Sequence, residues 1–494
     1  MTHDPIFKDV PRGVPSLEQS AFAPPLAQFA NPRHIQASKT LAYQDAKLFL
    51  GVIGADMAQT TRRNGTMEHY ATGGHAVGLA DDRHVITVAG SRAGKGRSAI
   101  IPNMLRYSGS IMATDPKGEL ATITAEHRHT ALGQNVRVLD PFGVANVPDQ
   151  YRAAFNPMSI LAENSPTLVE DAGLIADALV ISSSKEEHWD ASAREVITAL
   201  MLHLARHDIA AKRTLPELRR ILRNDVLLEK TMEDIAEDED YLDGILSGLA
   251  QSYLSKPDNE RGSVLSNARR QTAFLDFNAI QGVLSGHDFD LGSLKTERTT
   301  VYLCLPAMRM GTCNRWLRLF INLALAALEN PHAPPPEPPV LFCLDEFATL
   351  GHMQTIENAA GQIAGFGVKL WPIIQDLGQL ETLYEKRWQT FMANAGVLQF
   401  FGNSDLTTLE WISKRLGETT LRVMTKGEVG YKQAAETGAT GESWTNDVRA
   451  LLTIEEISKL FGRDDRLCRQ LVIWAGRDPM ILQRAYYDKH RLFQ

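Results

Sequence analysis

Short runs that are apolar at every position alternate with amphipathic stretches in two separate parts of the chain. In the first part, Val85, Ile86 and Val88 lead into a helical pattern, followed by SIMAT (110–114) and VRVLD (136–140). In the second, TTVYLCL (299–305) precedes a helix over 314–328. VLFCL, VKLWPIIQ (368–375), GVLQFFGNSD (396–405) and LVIW (471–474) then follow in order. Runs without polar alternation belong to strands covered on both faces, so the pattern predicts an α/β fold with a mostly parallel sheet. Between these parts the β-rich runs vanish, and Val196, Ile197, Leu200, Met201 and Leu204 recur at helical spacing. This predicts an inserted all-α domain over 162–292, dividing an α/β domain into 81–161 and 293–494. Residues 1–80 read as a proline-rich irregular arm with a short helical stretch around Leu41 to Ala58. Packing on a neighbouring subunit and disorder both fit that arm.

Composition narrows the class. With 494 residues, 44% hydrophobic and 22% charged, the chain has the material for a large globular core. A net charge of −8 argues against a generally basic nucleic-acid coat, but leaves room for a locally basic channel. Cys304, Cys313, Cys343 and Cys468 form no CxxC pair, which fits a reducing, cytoplasmic setting without a zinc site. The start is polar and does not resemble a signal peptide. The longest apolar runs, such as LFINLALAAL (319–328), fall short of the roughly 20 residues that span a bilayer.

The chemistry concentrates where predicted strands end. After Val88 comes a turn ending in Gly94-Lys95, and then a helix: strand, flexible loop, lysine, helix is the order of a phosphate-binding loop. Its candidate cradle is Gly90, Ser91, Arg92, Ala93, Gly94, Lys95, Gly96, Arg97 and Ser98, where backbone N–H groups and the Lys95 charge meet an anion. Ala89 stands at the usual first glycine, and Gly96 stands where a hydroxyl normally ligates Mg²⁺. Ser98 lies about 200° further around an α-helix and should not substitute for it. A second strand delivers Asp345 and Glu346 together, as metal holder and activator of water. The next ends on Gln375, where a polar group can sense a γ-phosphate in P-loop motors and where a plain structural glutamine is equally consistent. Asp115 and Asp140 also follow strands, where a ligand edge and plain strand-end capping are both consistent. Arg261, Arg269 and Arg270 form a basic stretch that reads either as a solvated face or as a phosphate contact.

Separated motifs then fall in one order: AGSRAGKGRSAIIPNML, ATDPKGELATITAEHR, VRVLDPFG, FNPMS, LDEFATLG, IIQDLGQLETLY, NSDLTTLEWISKRLGETT, ALLTIEEISKL and AGRDPMILQRAYYD. Over roughly residues 80 to 490 the chain resembles the type IV secretion coupling proteins of the TraG/VirD type. The resemblance implies a RecA/FtsK-like P-loop nucleotidase that uses ATP and Mg²⁺, assembles as a homo-hexamer and drives DNA towards a secretion channel. By motif, Lys95 would contact phosphates, Asp345 would organise Mg²⁺, Glu346 would activate water and Gln375 would sense the γ-phosphate; Asp115 and Lys117 belong to the DPKGE motif. The implied partners are a relaxase, relaxosome or effector protein, and DNA that is single-stranded and bound without sequence preference.

Membrane-bound relatives carry N-terminal spanning helices that are not seen here, so a partner would provide any peripheral attachment to the inner membrane. No arginine stands between the acidic strand and the glutamine strand, where only Lys369 is cationic; Arg387 and Arg415 are candidate fingers acting in trans. Two other readings stay open: a nucleotide-switched receptor that recruits relaxase or effector without strong motor activity, and a soluble ring DNA translocase outside secretion.

Overall fold

The computed structural model describes residues 26–62, 65–81, 83–181, 187–329, 333–426 and 442–494. Within these residues fifteen strands are formed. They are β1 (Leu48–Ile53), β2 (Asp56–Thr61), β3 (Met67–Thr72), β4 (His75–Leu79), β5 (His84–Ala89), β6 (Ile111–Asp115), β7 (Asn135–Leu139) and β8 (Thr299–Cys304). After these come β9 (Val340–Leu344), β10 (Val368–Ile374), β11 (Ala395–Phe401), β12 (Glu418–Lys426), β13 (Glu442–Ala450), β14 (Arg469–Trp474) and β15 (Met480–Gln483).

Eleven of them form one sheet in the order β4-β1-β15-β14-β11-β5-β10-β9-β6-β8-β7. From β11 to β7 every neighbouring pair is parallel. On the other flank β14, β15, β1 and β4 are joined antiparallel and cover the β11 edge. The parallel, mixed α/β core expected from the apolar runs is what the chain builds. Strands β5, β6, β8, β9, β10 and β11 are buried at every position, which explains the absence of polar alternation in their sequences.

Alternate residues of these strands feed two apolar layers. Val85, Ala113, Cys343 and Trp371 face the side that also takes Ile101 and Met104 of the helix Ile101–Arg106 and Leu120 of the helix Glu119–Thr130. Ile86, Met112, Phe342 and Leu370 face the other side, against Trp316 and Phe320 of the long helix Ala307–Leu328. Phe342 lies opposite both Leu370 and Met112 across the ladder, so the second layer is continuous over three strands.

Between β7 and β8 the described chain is helical, including Leu168–Leu179, Glu187–Ala205, Leu215–Arg223 and Asp258–Gln271. Val196, Ile197, Leu200, Met201 and Leu204 are all buried, as their spacing requires. Side chains define the helix starts: Thr214 accepts from the Glu217 N–H and Asn224 from the Leu227 N–H. Among the described residues no helix is long and apolar enough to cross a membrane.

One expectation is overturned. The stretch from Leu41 to Ala58, read as helical, contains β1 and the start of β2. LFLGVI is buried at all six positions because β4 and β15 flank it, and β15 arrives from more than four hundred residues away. No local period signals that partnership. The proline-rich start, residues 1–25, lies outside the described residues. The helix expected over 314–328 begins earlier, at Ala307; its first turns carry Arg309, Gly311 and Thr312 and leave Met308 exposed, which breaks up the apolar face.

A buried arginine ties the sheet to the helices behind the phosphate-type loop. Arg128 is 0% exposed and donates to the carbonyls of Met104, Tyr107 and Gly109, to Gln134 Oε1 and to Thr300 Oγ1. None of these acceptors is a carboxylate, and burial pulls its pKa down to about 10. Arg128→Met should strand several buried acceptors and cost on the order of 3 kcal/mol, read as a lower urea midpoint by tryptophan fluorescence.

Candidate phosphate-binding cleft at the sheet edge

Four neighbouring parallel strands, β5, β10, β9 and β6, end along one edge, and each delivers a polar group there. β5 passes into the loop at Gly90, where a β-carbon would come within 1.9 Å of the Gly402 carbonyl oxygen at the end of β11. Only glycine allows that approach. Gly94 has φ +88°, and Arg92 takes a left-handed backbone (φ 56°) despite its side chain. The loop then enters a single π-helical turn, Gly96–Ile100, in which the Ile101 N–H reaches back to the Gly96 carbonyl. Wide turns of this kind are uncommon and recur at functional sites.

Lys95 is the centre of the edge. Its Nζ lies 2.8 Å from Asp345 Oδ1 and donates to Glu346 Oε1 at 2.6 Å. Gln375 Nε2 donates to Glu346 Oε2 at 3.0 Å. Lys95, Asp345, Glu346 and Gln375, named separately along the sequence, thus form one connected group drawn from three strands. Their backbones are held too: Thr114 Oγ1 donates to the Asp345 carbonyl, and the Gln375 N–H donates to Gln379 Oε1. Glu346 itself sits at φ 53°, a second non-glycine left-handed residue at this edge.

The electrostatics are those of charges partly removed from water. Burial works against the Lys95 charge, but Asp345 and Glu346 outweigh it and hold the ammonium above its ordinary pKa. Burial raises Asp345 above the usual carboxylate range, and Lys95 offsets this only in part. Asp115 is pushed up to about 6 by burial, opposed by N–H groups of the following turn.

A cleft of about 420 Å³ opens here, lined by Ser91, Gly94 to Arg97, Asp115, Lys117 and the Asp345, Glu346 and Gln375 group. Arg92 also lines it, whereas Gly90, Ala93 and Ser98 do not. Ser98 Oγ donates to the Gly94 carbonyl at 3.0 Å and closes the loop from behind. Arg97 is spoken for: it pairs with Glu68 of β3 and with Asp488, and stacks on the Tyr486 ring. Gly96 faces open space, since a β-carbon there would meet nothing within 4 Å. Asp115 accepts from the Ala121 N–H, and Asp140 accepts from the N–H groups of Val144 and Ala145, so both hold their own turns. Lys117 is exposed on the cleft wall.

Other candidates lie apart. Arg261 and Arg269 pair with neighbouring acids in the helical section, and Arg270 donates to Asn267. Lys369 is buried against the Asp81 and Arg83 carbonyls. Arg387 is exposed and paired with Glu357, and Arg415 lines a separate groove beside Trp474 and Arg477. Neither arginine reaches the cleft of its own chain.

Sequence reading missed the segment that clasps the loop from the far end of the chain. Arg484, 1% exposed, donates to the Ala93 carbonyl at 2.7 Å, and the Tyr487 N–H donates to the Arg97 carbonyl at 3.0 Å. Only the closing motif AGRDPMILQRAYYD hinted that this segment mattered.

A polyphosphate fits this edge. Backbone N–H groups follow the anion-cradling turn, one lysine is available to trade carboxylates for phosphates, and Asp345 is a hard oxygen ligand beside it. Among the described residues no cluster of three or more His, Cys, Asp or Glu could hold a metal unaided. Mg²⁺ takes one or two carboxylates and completes its shell with phosphates and water, so Asp345 suffices as a protein ligand for it.

Comparison with known proteins gives a consistent answer. The family profile described as Type IV secretory system Conjugative DNA transfer matches residues 39–494. The conjugal transfer protein TraG of Rhizobium radiobacter is 28% identical over 415 residues, covering 82% of this chain and 62% of that protein. The coupling protein VirD4 of Bartonella henselae is 25% identical over 431 residues, covering 83% and 63%. The chain therefore spans about three-fifths of the length of these relatives. Among solved structures, the bacterial conjugative coupling protein TrwB in an unbound form aligns with a TM-score of 0.61 at 16% identity, over 82% of this chain and 85% of that one. TrwB in complex with ADP and Mg²⁺ aligns at 0.58, with the same identity and coverage. The strand order, the cleft and the profile match agree: this chain belongs to the type IV secretory system conjugative DNA transfer family.

Proposed function

We propose that the chain is the nucleotidase part of a conjugative coupling protein, which binds and hydrolyses ATP with Mg²⁺ and uses the cycle to drive DNA, or a relaxase–DNA complex, towards a type IV secretion channel. The observation that carries this is the junction of Lys95, Asp345, Glu346 and Gln375 beside a glycine-built loop. The working assembly is a homo-hexameric ring with the cleft at subunit contacts. Residues 162–292 are its inserted helical unit, 81–161 and 293–494 its nucleotide-binding domain, and attachment to the membrane is through a partner.

The mechanism follows from the groups in place. Lys95 is paired with both Asp345 and Glu346. Phosphate arrival exchanges one anionic partner for another, so the ammonium never stands buried and uncompensated. Lys95 then pairs with the β- and γ-phosphates, and the loop N–H groups hold the bridging oxygens. Release from Lys95 leaves Glu346 able to orient a water and take its proton. Gln375, fixed at its backbone by Gln379 and Asn403, offers its amide to the γ-phosphate. Asp345 would hold Mg²⁺, directly or through water, and the ion would supply neutralisation of charge on the phosphate oxygens.

Lys95→Ala should abolish binding of a fluorescent ATP analogue. Glu346→Gln should keep that binding and lower DNA-stimulated hydrolysis by at least about 100-fold. A wild-type ring that binds ATP without turnover in the presence of DNA would instead establish the receptor reading. Gly96 has room for a side chain, so Gly96→Ser should fold normally and lower the Mg²⁺ concentration needed for half-maximal hydrolysis. An unchanged Mg²⁺ titration would show that water alone completes the shell. Single-stranded DNA binding should weaken with salt at a log–log slope of about −0.7 per phosphate neutralised, independent of base sequence.

A further inference from the structure

Glu346 holds a left-handed backbone, which a residue with a side chain keeps only when its surroundings impose it. The 3₁₀ turn Phe347–Leu350 imposes it directly: the Thr349 N–H and Oγ1 both donate to the Glu346 carbonyl, at 2.9 and 2.8 Å. That turn is gripped in its turn from the long helix Ala307–Leu328. Asn314 Nδ2 donates to the Thr349 carbonyl at 3.2 Å, and Arg318 Nη1 donates to the carbonyls of Leu350 (3.0 Å) and His352 (2.6 Å).

The same helix face holds the helical section. Arg318 Nε points to the Ala178 carbonyl at 3.4 Å, and Arg315 Nε donates to the Leu179 carbonyl at 3.1 Å, so the pair caps the C-terminal end of the helix Leu168–Leu179. Arg315 also donates to Gln271 Oε1 at 3.0 Å, and Gln271 Nε2 reaches the Ile181 carbonyl and Asp190. Arg318 is 6% exposed, and among the described residues its acceptors are the main-chain carbonyls of Ala178, Leu350 and His352. A buried guanidinium bonded to carbonyls of two separate segments fixes the spacing of those segments.

We propose that Arg318 is a positioning residue that couples the helical section to Glu346, so that a shift of the Leu168–Leu179 helix end moves the turn that sets the Glu346 backbone. The coupling runs both ways, because a linkage between two equilibria is reciprocal. Nucleotide bound at Lys95 and Glu346 is therefore felt at residues 176–181. This rests on the nucleotidase reading above.

The test is amide hydrogen exchange on the whole chain with and without Mg²⁺ and a non-hydrolysable ATP analogue, alongside steady-state hydrolysis. Wild type should show exchange at 176–181 slowed about fivefold by the analogue. Arg318→Met should bind the analogue within about threefold of wild type, lose that slowing, and drop about tenfold in kcat at nearly constant KM. Arg318→Lys should recover part of both. If Arg318→Met does not fold, Arg318→Gln, too short to span both segments, is read in the same way. Wild type that binds and hydrolyses without any change at 176–181, or a variant that keeps both the change and its kcat, overturns the coupling and leaves the nucleotidase reading intact. Wild type that does not bind the analogue overturns both.

Discussion

One ammonium group set against two carboxylates, half out of water, organises this molecule. Lys95, Asp345 and Glu346 come from positions about 250 residues apart, and they meet only because β5 and β9 flank β10 with their ends level. The charges do not cancel: one positive faces two negative. The surplus makes the edge a place where a cation is welcome, and the lysine makes it a place where a polyphosphate is welcome. Much of the surrounding polar structure, from Thr114 on the Asp345 carbonyl to Gln375 on Glu346, holds those groups at bonding distance.

The part of the sheet nearest these charges was the part legible in the sequence. Strands covered on both faces by helices have few polar positions, so β5, β6 and β9 to β11 stand out as bare apolar runs, and their terminal acids, lysine and glutamine stand out against them. β1 was misread because LFLGVI owes its strand to partners remote in sequence, and MILQ of β15 is too short to declare a period of its own. Side-chain direction was legible only in part. Ser98 turns back to the Gly94 carbonyl, and nothing local shows that Arg97 is claimed by Glu68 and Asp488.

The groups least visible in the sequence are the arginines whose partners are carbonyl oxygens. Arg318 and Arg484 recognise backbone, and Arg128 does so through the carbonyls of Met104, Tyr107 and Gly109; backbone carries no residue identity, so no spacing or complementary charge betrays them. They are buried nonetheless, and each spans elements that apolar packing alone would leave free to slide. Relatives with 14–16% identity retain the fold because the burial pattern can be met by many side chains.

The Arg484–Ala93 hydrogen bond has a consequence for biosynthesis. Its partners are 391 positions apart, so a chain emerging from the ribosome exposes the complete loop, lysine included, long before the group that braces it exists. Until β14 and β15 have been made, β11 has an open edge and the Ala93 carbonyl has no guanidinium. Newly made chains therefore pass through a long interval in which the loop is present but unbraced, and the finished cleft appears only once Arg484 has been translated.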